Sequence, residues 1–406
     1  MLEVKKNSLQ ARSGYPTEGQ KVLLKKLVES SGVKPYFSKI NTAWYLDSEL
    51  FSREIEHVIH KVPLPIIPSS LLPEKGMAVP HSNYGIPLIV SRDKDGVVRI
   101  FLNACSHRGS KIMTSPDPVK RNLLVCPYHG WSFKLNGCLA GVPKEEIFSC
   151  LNRAEHSLVE FPAFESGGLI WGILQAGVQG DFSSIRNGIQ EDMDALGIGD
   201  MHCYARRTHE VKGNWKLILE AFQEIYHVPF LHKNTVAPMF SGRSVHDYVG
   251  RHVRFATERG RVRSCDINLD APLSSLSHDV TFSYLLFPVM IVVVSPTYVN
   301  LLICSPQDPG TTLVENIMLI PQHLQTADKN EHWESSWKLL DEGVYEKEDI
   351  FAVEKQQQGL SSGILKTLSI GGLEKPIEEF QKNILNCFPE DYQGSLKTYM
   401  NGSKEN

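Results

Sequence analysis

Two short cysteine–histidine pairs constrain this chain more than any other feature: Cys105-Ser106-His107 and Cys126-Pro127-Tyr128-His129, with eighteen residues between them. Two thiolates and two imidazoles at this spacing form a metal-ligand set. Tetrahedral zinc accepts such a set. So does a two-iron cluster in which imidazoles replace the thiolates on one iron, an exchange that raises the reduction potential. Either metal requires the two pairs to meet in space, so the segments carrying them must fold as neighbouring loops.

The pattern around the pairs predicts the scaffold. Gly85–Val90 and Val97–Leu102 flank the turn Asp93-Lys94-Asp95-Gly96, and Trp131–Leu135 and Cys138–Ala140 flank Asn136-Gly137. Both are hairpin signals. Residues 41–165 therefore read as a small all-β domain with the pairs at its hairpin tips. Residues 1–40, polar and mixed with a helical pattern at Gln20–Ser30, read as an N-terminal arm packing on the body. Residues 166–406 mix helical segments (Ile185–Ala195, Asn330–Leu340, Glu346–Leu360, Ile377–Leu385) with apolar, β-branched stretches at Tyr284–Val294, Thr297–Cys304 and Thr312–Ile320. The stretches predict a curved antiparallel sheet, making the chain α+β. With 406 residues and a net charge of −4, the chain can build two or three cores and offers no basic stripe to a nucleic acid. Its longest apolar run, Leu285–Ser295, is too short for a membrane span and contains Pro288. The first residues lack the apolar core of a secretion signal. Cys138, Cys150, Cys203, Cys265, Cys304 and Cys387 are scattered, as free thiols are in a reducing compartment. The expected location is the cytoplasm.

A second metal site is written around residue 224. Asn214 can cap a helix running to His227, with Trp215, Ile218, Leu219, Phe222 and Tyr226 as its core stripe. Glu224 and His227 then lie one turn apart on one face. Pro229 would stop the helix, and His232 follows on the emerging loop. Two imidazoles and a carboxylate suit an Fe(II) with open positions. Spacing alone leaves the carboxylate open, since Asp341, Glu346, Glu348, Asp349 and Glu354 look alike.

With its flanks Arg108-Gly109 and Gly130-Trp131, and with Glu224-x-x-His227-x-x-x-x-His232, the chain resembles the catalytic (α) subunits of the Rieske non-haem iron oxygenases, the aromatic ring-hydroxylating type, over roughly residues 40–400. The resemblance implies a Rieske [2Fe–2S] domain followed by a helix-grip, START-like catalytic domain. Cys105, His107, Cys126 and His129 would hold the cluster. His227, His232 and Asp349 would hold a mononuclear Fe(II), with Asp349 on the family's C-terminal helix. Glu224 resembles the bridging carboxylate that carries electrons from a cluster histidine, His129, to His227. Ring dioxygenases mostly use aspartate there, and several amine-oxidising branches use glutamate. In this family the electrons cross between subunits of a head-to-tail homotrimer.

The implied activity is an oxygenase that uses O2 to hydroxylate an apolar, aromatic or alicyclic molecule, by mono- or dioxygenation. The alternative within the family is an amine N-demethylase or quaternary-amine monooxygenase. From another class, a Rieske electron carrier without oxygenase activity would need far fewer residues. Phe222, Gln223, Val228, Leu231, Met239 and Phe240 are the pocket candidates, all close to the iron motif. Arg251, His252 and Arg254 are candidates to hold a substrate carboxylate. No G-x-G-x-x-G follows a strand, so electrons from NAD(P)H must arrive through a separate reductase or ferredoxin.

Overall fold

The computed structural model describes residues 14–81, 84–260, 266–322 and 330–400. Its centre is a seven-stranded antiparallel sheet, in the order Met201–Val211, Thr311–Pro321, Val299–Asp308, Met290–Val294, Val280–Leu286, His252–Arg259, Phe240–Val249. The β-branched runs expected to pair are its middle strands, and almost every residue of them is buried. A strand buried on both faces needs layers on both sides, which accounts for its continuous apolar composition. Helix Trp215–Ala221 lies against Val299–Asp308, and helix Glu18–Glu29 lies against the two strands at the far edge.

The expected helix from Asn214 to His227 is broken. Asn214 does cap it, accepting from the Lys216 N–H at 3.0 Å, but the helix ends at Ala221. The Glu224 carboxylate accepts the backbone N–H of Tyr226 and, at 3.1 Å, that of His227. A side chain that captures backbone donors competes with the helical ladder. Pro229 begins the next short helix, Val228–Leu231, instead of stopping the first, since its missing N–H is harmless in an opening turn. The two helices expected at 330–340 and 346–360 are continuous: Asn330–Lys338, a π-helical stretch Leu339–Ile350, and Phe351–Ser361.

The arm is tied down by polar groups. Thr17 and Gln20 form a capping box. Thr17 Oγ1 donates to Asp192 at 2.6 Å and Gln20 Nε2 donates to the Tyr284 hydroxyl at 2.8 Å. Strand Phe37–Asn41 then pairs with Thr367–Gly371 near the other end of the chain. Arg254 belongs to the same buried framework, held by Asp192 at 3.0 Å and Asp247 at 2.8 Å. His252 accepts the Phe287 N–H at 3.1 Å, and Arg251 faces the Cys387 sulfur at 3.2 Å. All three are engaged in structure, so the carboxylate-holding role considered for them is withdrawn.

The small β domain has a five-stranded sheet, in the order Glu160–Phe161, Val98–Leu102, Leu88–Arg92, Met77–His81, Val119–Lys120, and a three-stranded one of Leu123–Val125, Ser132–Lys134 and Leu139–Gly141. Asp93 closes the first hairpin by accepting the N–H groups of Asp95 and Val97, both at 2.9 Å. The cysteines other than Cys265, which lies outside the described residues, are free.

Candidate functional site

The two Cys–His loops are built to one plan. Gly109 N–H donates to the Cys105 carbonyl at 2.7 Å, and Gly130 N–H to the Cys126 carbonyl at 3.1 Å. Each loop closes again one residue on, Cys105 N–H to Ser110 O at 2.9 Å and Cys126 N–H to Trp131 O at 2.8 Å. The glycines sit at φ of 74° and 73°, a left-handed conformation that a Cβ would strain. Cys105 and Cys126 are buried and within hydrogen-bonding reach of each other. The His107 and His129 rings lie 4.5 Å apart, and His107 stacks on Trp131 at 4.8 Å. His107 Nδ1 is buried with no hydrogen-bond partner. An orphaned imidazole nitrogen beside two buried thiols and a second imidazole is the donor set a mixed-ligand [2Fe–2S] cluster needs.

The second constellation gathers His227, His232 and Asp349, one ligand atom from each lying within 4.8 Å of the others. Asp349 Oδ1 stands 3.1 Å from His232 Nε2 and 4.0 Å from His227 Nε2. Both rings are gripped from behind. Glu224 takes His227 Nδ1, and Glu348 takes His232 Nδ1 at 2.7 Å while accepting the Thr235 hydroxyl at 2.7 Å. A carboxylate at Nδ1 holds the proton there and leaves the Nε2 lone pair for a metal. Three carboxylates around two imidazoles leave the cluster of side chains anionic, and a divalent cation would offset most of that charge. At His232, burial disfavours the imidazolium, yet Asp349 and Glu348 outweigh it and raise the pKa.

Glu348 was considered only as a rival to Asp349 for the metal. The structure puts these neighbours in sequence on opposite nitrogens of one ring. The wide turn of the π-helical stretch carries both, and such turns recur at functional sites. The other look-alikes are accounted for. Asp341 is buried among His209 (2.6 Å), Asn316 (2.8 Å) and Arg207 (3.1 Å). Glu346 also meets Arg207 at 3.2 Å, and Glu354 accepts the Lys212 N–H at 3.0 Å.

A cavity of about 670 Å³ opens over this floor. Phe222, Val228, Met239 and Phe240 line it, joined by Phe255, Val293, Leu302 and Val344. Gln223 does not: it is fully buried and turned back, its Nε2 3.4 Å from the Leu219 carbonyl. Leu231 is also off this wall and lines a second cavity, of about 280 Å³, behind the histidines. Both misplacements follow from the break at Ala221, which rotates every later side chain. Arg259, His278 and His332 stand on the first cavity's wall, where among the described residues the only carboxylates are Glu224 and Asp349.

Two family models match. Residues 63–152 match the Rieske [2Fe-2S] domain, and residues 198–390 match the catalytic domain of the ring hydroxylating alpha subunit. The chain is 26% identical over 327 residues to the carnitine monooxygenase oxygenase subunit of Acinetobacter baumannii, covering 79% of this chain and 84% of that one. It is 34% identical over 205 residues to the large oxygenase component of the naphthalene 1,2-dioxygenase system of Pseudomonas aeruginosa, 49% and 45% of the two chains. The fold matches a quaternary ammonium Rieske monooxygenase in complex with L-carnitine, with a TM-score of 0.74, 21% identity and coverage of 91% and 99%. It also matches naphthalene 1,2-dioxygenase from Rhodococcus sp. bound to indole, with a TM-score of 0.72, 18% identity and coverage of 91% and 98%.

The chain belongs to the Rieske non-haem iron oxygenases, as a catalytic α subunit. It is an oxidoreductase that incorporates oxygen, with a [2Fe–2S] cluster and a mononuclear iron as cofactors, and it takes its electrons from a reductase or ferredoxin. No helix among the described residues is long and apolar enough to cross a membrane.

Proposed function

We propose that this oxygenase hydroxylates an apolar, aromatic or alicyclic small molecule held in the larger cavity. The observation that carries this reading is the position of His227, His232 and Asp349 on the floor of a mostly apolar chamber of about 670 Å³, a size suited to one small molecule. Cys105, His107, Cys126 and His129 are the cluster ligands in this reading, and His227, His232 and Asp349 the iron ligands. The iron supplies a centre where dioxygen is reduced beside the substrate. The chain's own residues do the rest. Glu224 and Glu348 hold the Nδ1 protons and fix both ring orientations, and Phe222, Val228, Met239 and Phe240 exclude water and shape the substrate's approach.

Glu224 is also the electron bridge in this reading. Among the described residues its carboxylate bonds to His227 and to the backbone of Tyr226 and His227, and to no cluster histidine. The cluster histidine it serves would then belong to a neighbouring copy in a head-to-tail homotrimer. Two exposed patches support the docking: Tyr226 and Phe230, 58% and 75% exposed beside His227, and Tyr128, 58% exposed beside His129. One similar solved structure, a quaternary ammonium Rieske monooxygenase, is described as giving insights into inter-subunit electron transfer. The electrons originate from NAD(P)H, and the seven free cysteines among the described residues fit the cytoplasm.

A second reading, oxidation of a quaternary amine, is favoured by the carnitine monooxygenase relatives and by glutamate at position 224. Product mass from reconstituted enzyme with a reductase separates the readings. A gain of two oxygens and two hydrogens means ring cis-dihydroxylation, and a gain of one oxygen means hydroxylation. Loss of an alkyl group from an amine would replace the first reading with the second.

A further inference from the structure

The floor of the site is a partition, because Glu224, His227 and Asp349 line the second cavity as well as the first. That second space, about 280 Å³, has room for roughly nine waters at ~30 Å³ each. Its outer rim carries the exposed Gln356 and Ser369, and its inner end carries the buried Glu220 and Asp349. Glu220 has no part in the reading given above. It sits on the last turn of helix Trp215–Ala221, 6% exposed. Its carboxyl accepts from the Tyr45 hydroxyl at 2.8 Å and from Gln381 Nε2 at 3.1 Å. Gln381 Oε1 is buried with no partner. Turning the amide over would set that oxygen against the carboxyl, where it could accept the proton of a protonated Glu220, and would move Nε2 into the empty place.

The charges facing Glu220 do not force it to ionise. Lys216, one turn earlier, is taken by Glu54 in a fully buried pair. From other elements come Tyr45, Gln381 and, across the cavity, Glu224, His227, Asp349 and Glu374. Burial pushes the Glu220 pKa up to about 7; the Gln381 and Tyr45 hydrogen bonds and Lys216 pull it down, and Glu54 pushes it up. A carboxyl poised there exchanges protons readily near neutral pH.

We propose that Glu220 is a proton-relay residue, passing protons from solvent through the water-filled second cavity to the side of the metal floor opposite the substrate. This rests on the oxygenase reading. Insertion of one oxygen atom consumes a substrate C–H, O2, two electrons and two protons, and yields an alcohol and water. Cis-dihydroxylation likewise consumes two electrons and two protons. The electrons come from the reductase. In each relay step the Glu220 O–H bond would break, its proton would pass through cavity water to the partition side chains that line both cavities and across them to the oxygen being reduced, and the carboxylate would take a new proton from the solvent side. Substrate and proton thus approach the floor from opposite faces.

The test uses the full chain loaded with cluster and iron. Infrared spectra of the wild type and Glu220→Gln are compared from pH 5 to 9, with cluster absorbance and iron content checking that the variant folds. A protonated-carboxyl band is expected in the wild type, titrating away with a midpoint near 7 and missing from Glu220→Gln. In turnover, Glu220→Gln should lose kcat by about 100-fold with KM unchanged and lose the alkaline fall of kcat, and Glu220→Asp should recover part of the rate. If Glu220→Gln fails to load metals, Glu220→Asp carries the spectroscopic arm, and its band must move. A band that survives unchanged in the variant, or wild-type turnover by Glu220→Gln, overturns the proposal. Should the wild type oxidise no substrate, the oxygenase reading is what fails, and the infrared arm decides the protonation of Glu220 by itself.

Discussion

The two proposed metal-binding regions solve one problem in opposite ways. In the β domain the imidazole nitrogen left free is Nδ1 of His107, buried and unpartnered. In the larger domain both Nδ1 atoms are taken by carboxylates and both Nε2 atoms turn inward. The cluster loops get their order from backbone: a glycine, two carbonyl contacts each, and packing on Trp131. The proposed iron site gets its order from side chains, with Glu224 and Glu348 behind the histidines. Backbone order is local and needs few residues. Side-chain order draws on segments more than a hundred positions apart, such as His232 and Glu348, and stands or falls with the packing between them.

The largest expected effect breaks the symmetry of that comparison. Asp349→Ala or His232→Ala should abolish product while the cluster's visible spectrum stays intact; detectable wild-type turnover in either variant would remove the ligand assignment. Glu224→Gln comes next. Both metals should remain bound, and single-turnover electron transfer to the iron should slow by orders of magnitude; an unchanged rate would sink the bridge. Glu348→Gln sharpens the contrast, because it loosens a ring without removing a ligand. Iron affinity by competitive chelation should fall about 10–100-fold, and an unaltered affinity would show that packing alone orients His232.

The smallest effect is a matter of pH. Burial pushes the His252 pKa down to about 4, so the folded chain binds this proton less readily than the unfolded chain. Its contribution to stability is intact above pH 6.5 and is lost progressively as pH falls to 4, by about 3 kcal/mol. Denaturant titrations at pH 7, 5.5 and 4 would show the loss, and His252→Gln should reduce its slope.

Legibility followed the same divide. The proposed cluster loops are legible because Cys105, His107, Cys126, His129 and their turn glycines lie within one short stretch. The sheet was readable because Met290–Val294 and its neighbours are continuous apolar runs. The convergence of His227 and His232 is legible from spacing, but the helix around them is not. A pattern with period 3.6 gives no warning that the Glu224 carboxylate will capture two backbone N–H groups and end it. That is why Gln223 and Leu231 were assigned to the wrong wall. Glu348 was out of reach for another reason: neighbours in an α-helix diverge by about 100°, so two adjacent acids meeting one ring is not an α-helical expectation. The merged helix hid it further.

The π-helical stretch Leu339–Ile350 has a consequence for how this protein can vary. Asp341 anchors one end of the stretch to the sheet through His209 and Asn316, and Asp349 meets the histidines near the other. Between those two anchors the chain is a gauge of set length. Delete one residue and the wide turns tighten to α-helical ones, swinging everything beyond by about 100° and carrying both acids off His232. Insertions and deletions should be tolerated in the surface turns of the β domain and lethal here, so random-length libraries selected for turnover should leave this span untouched.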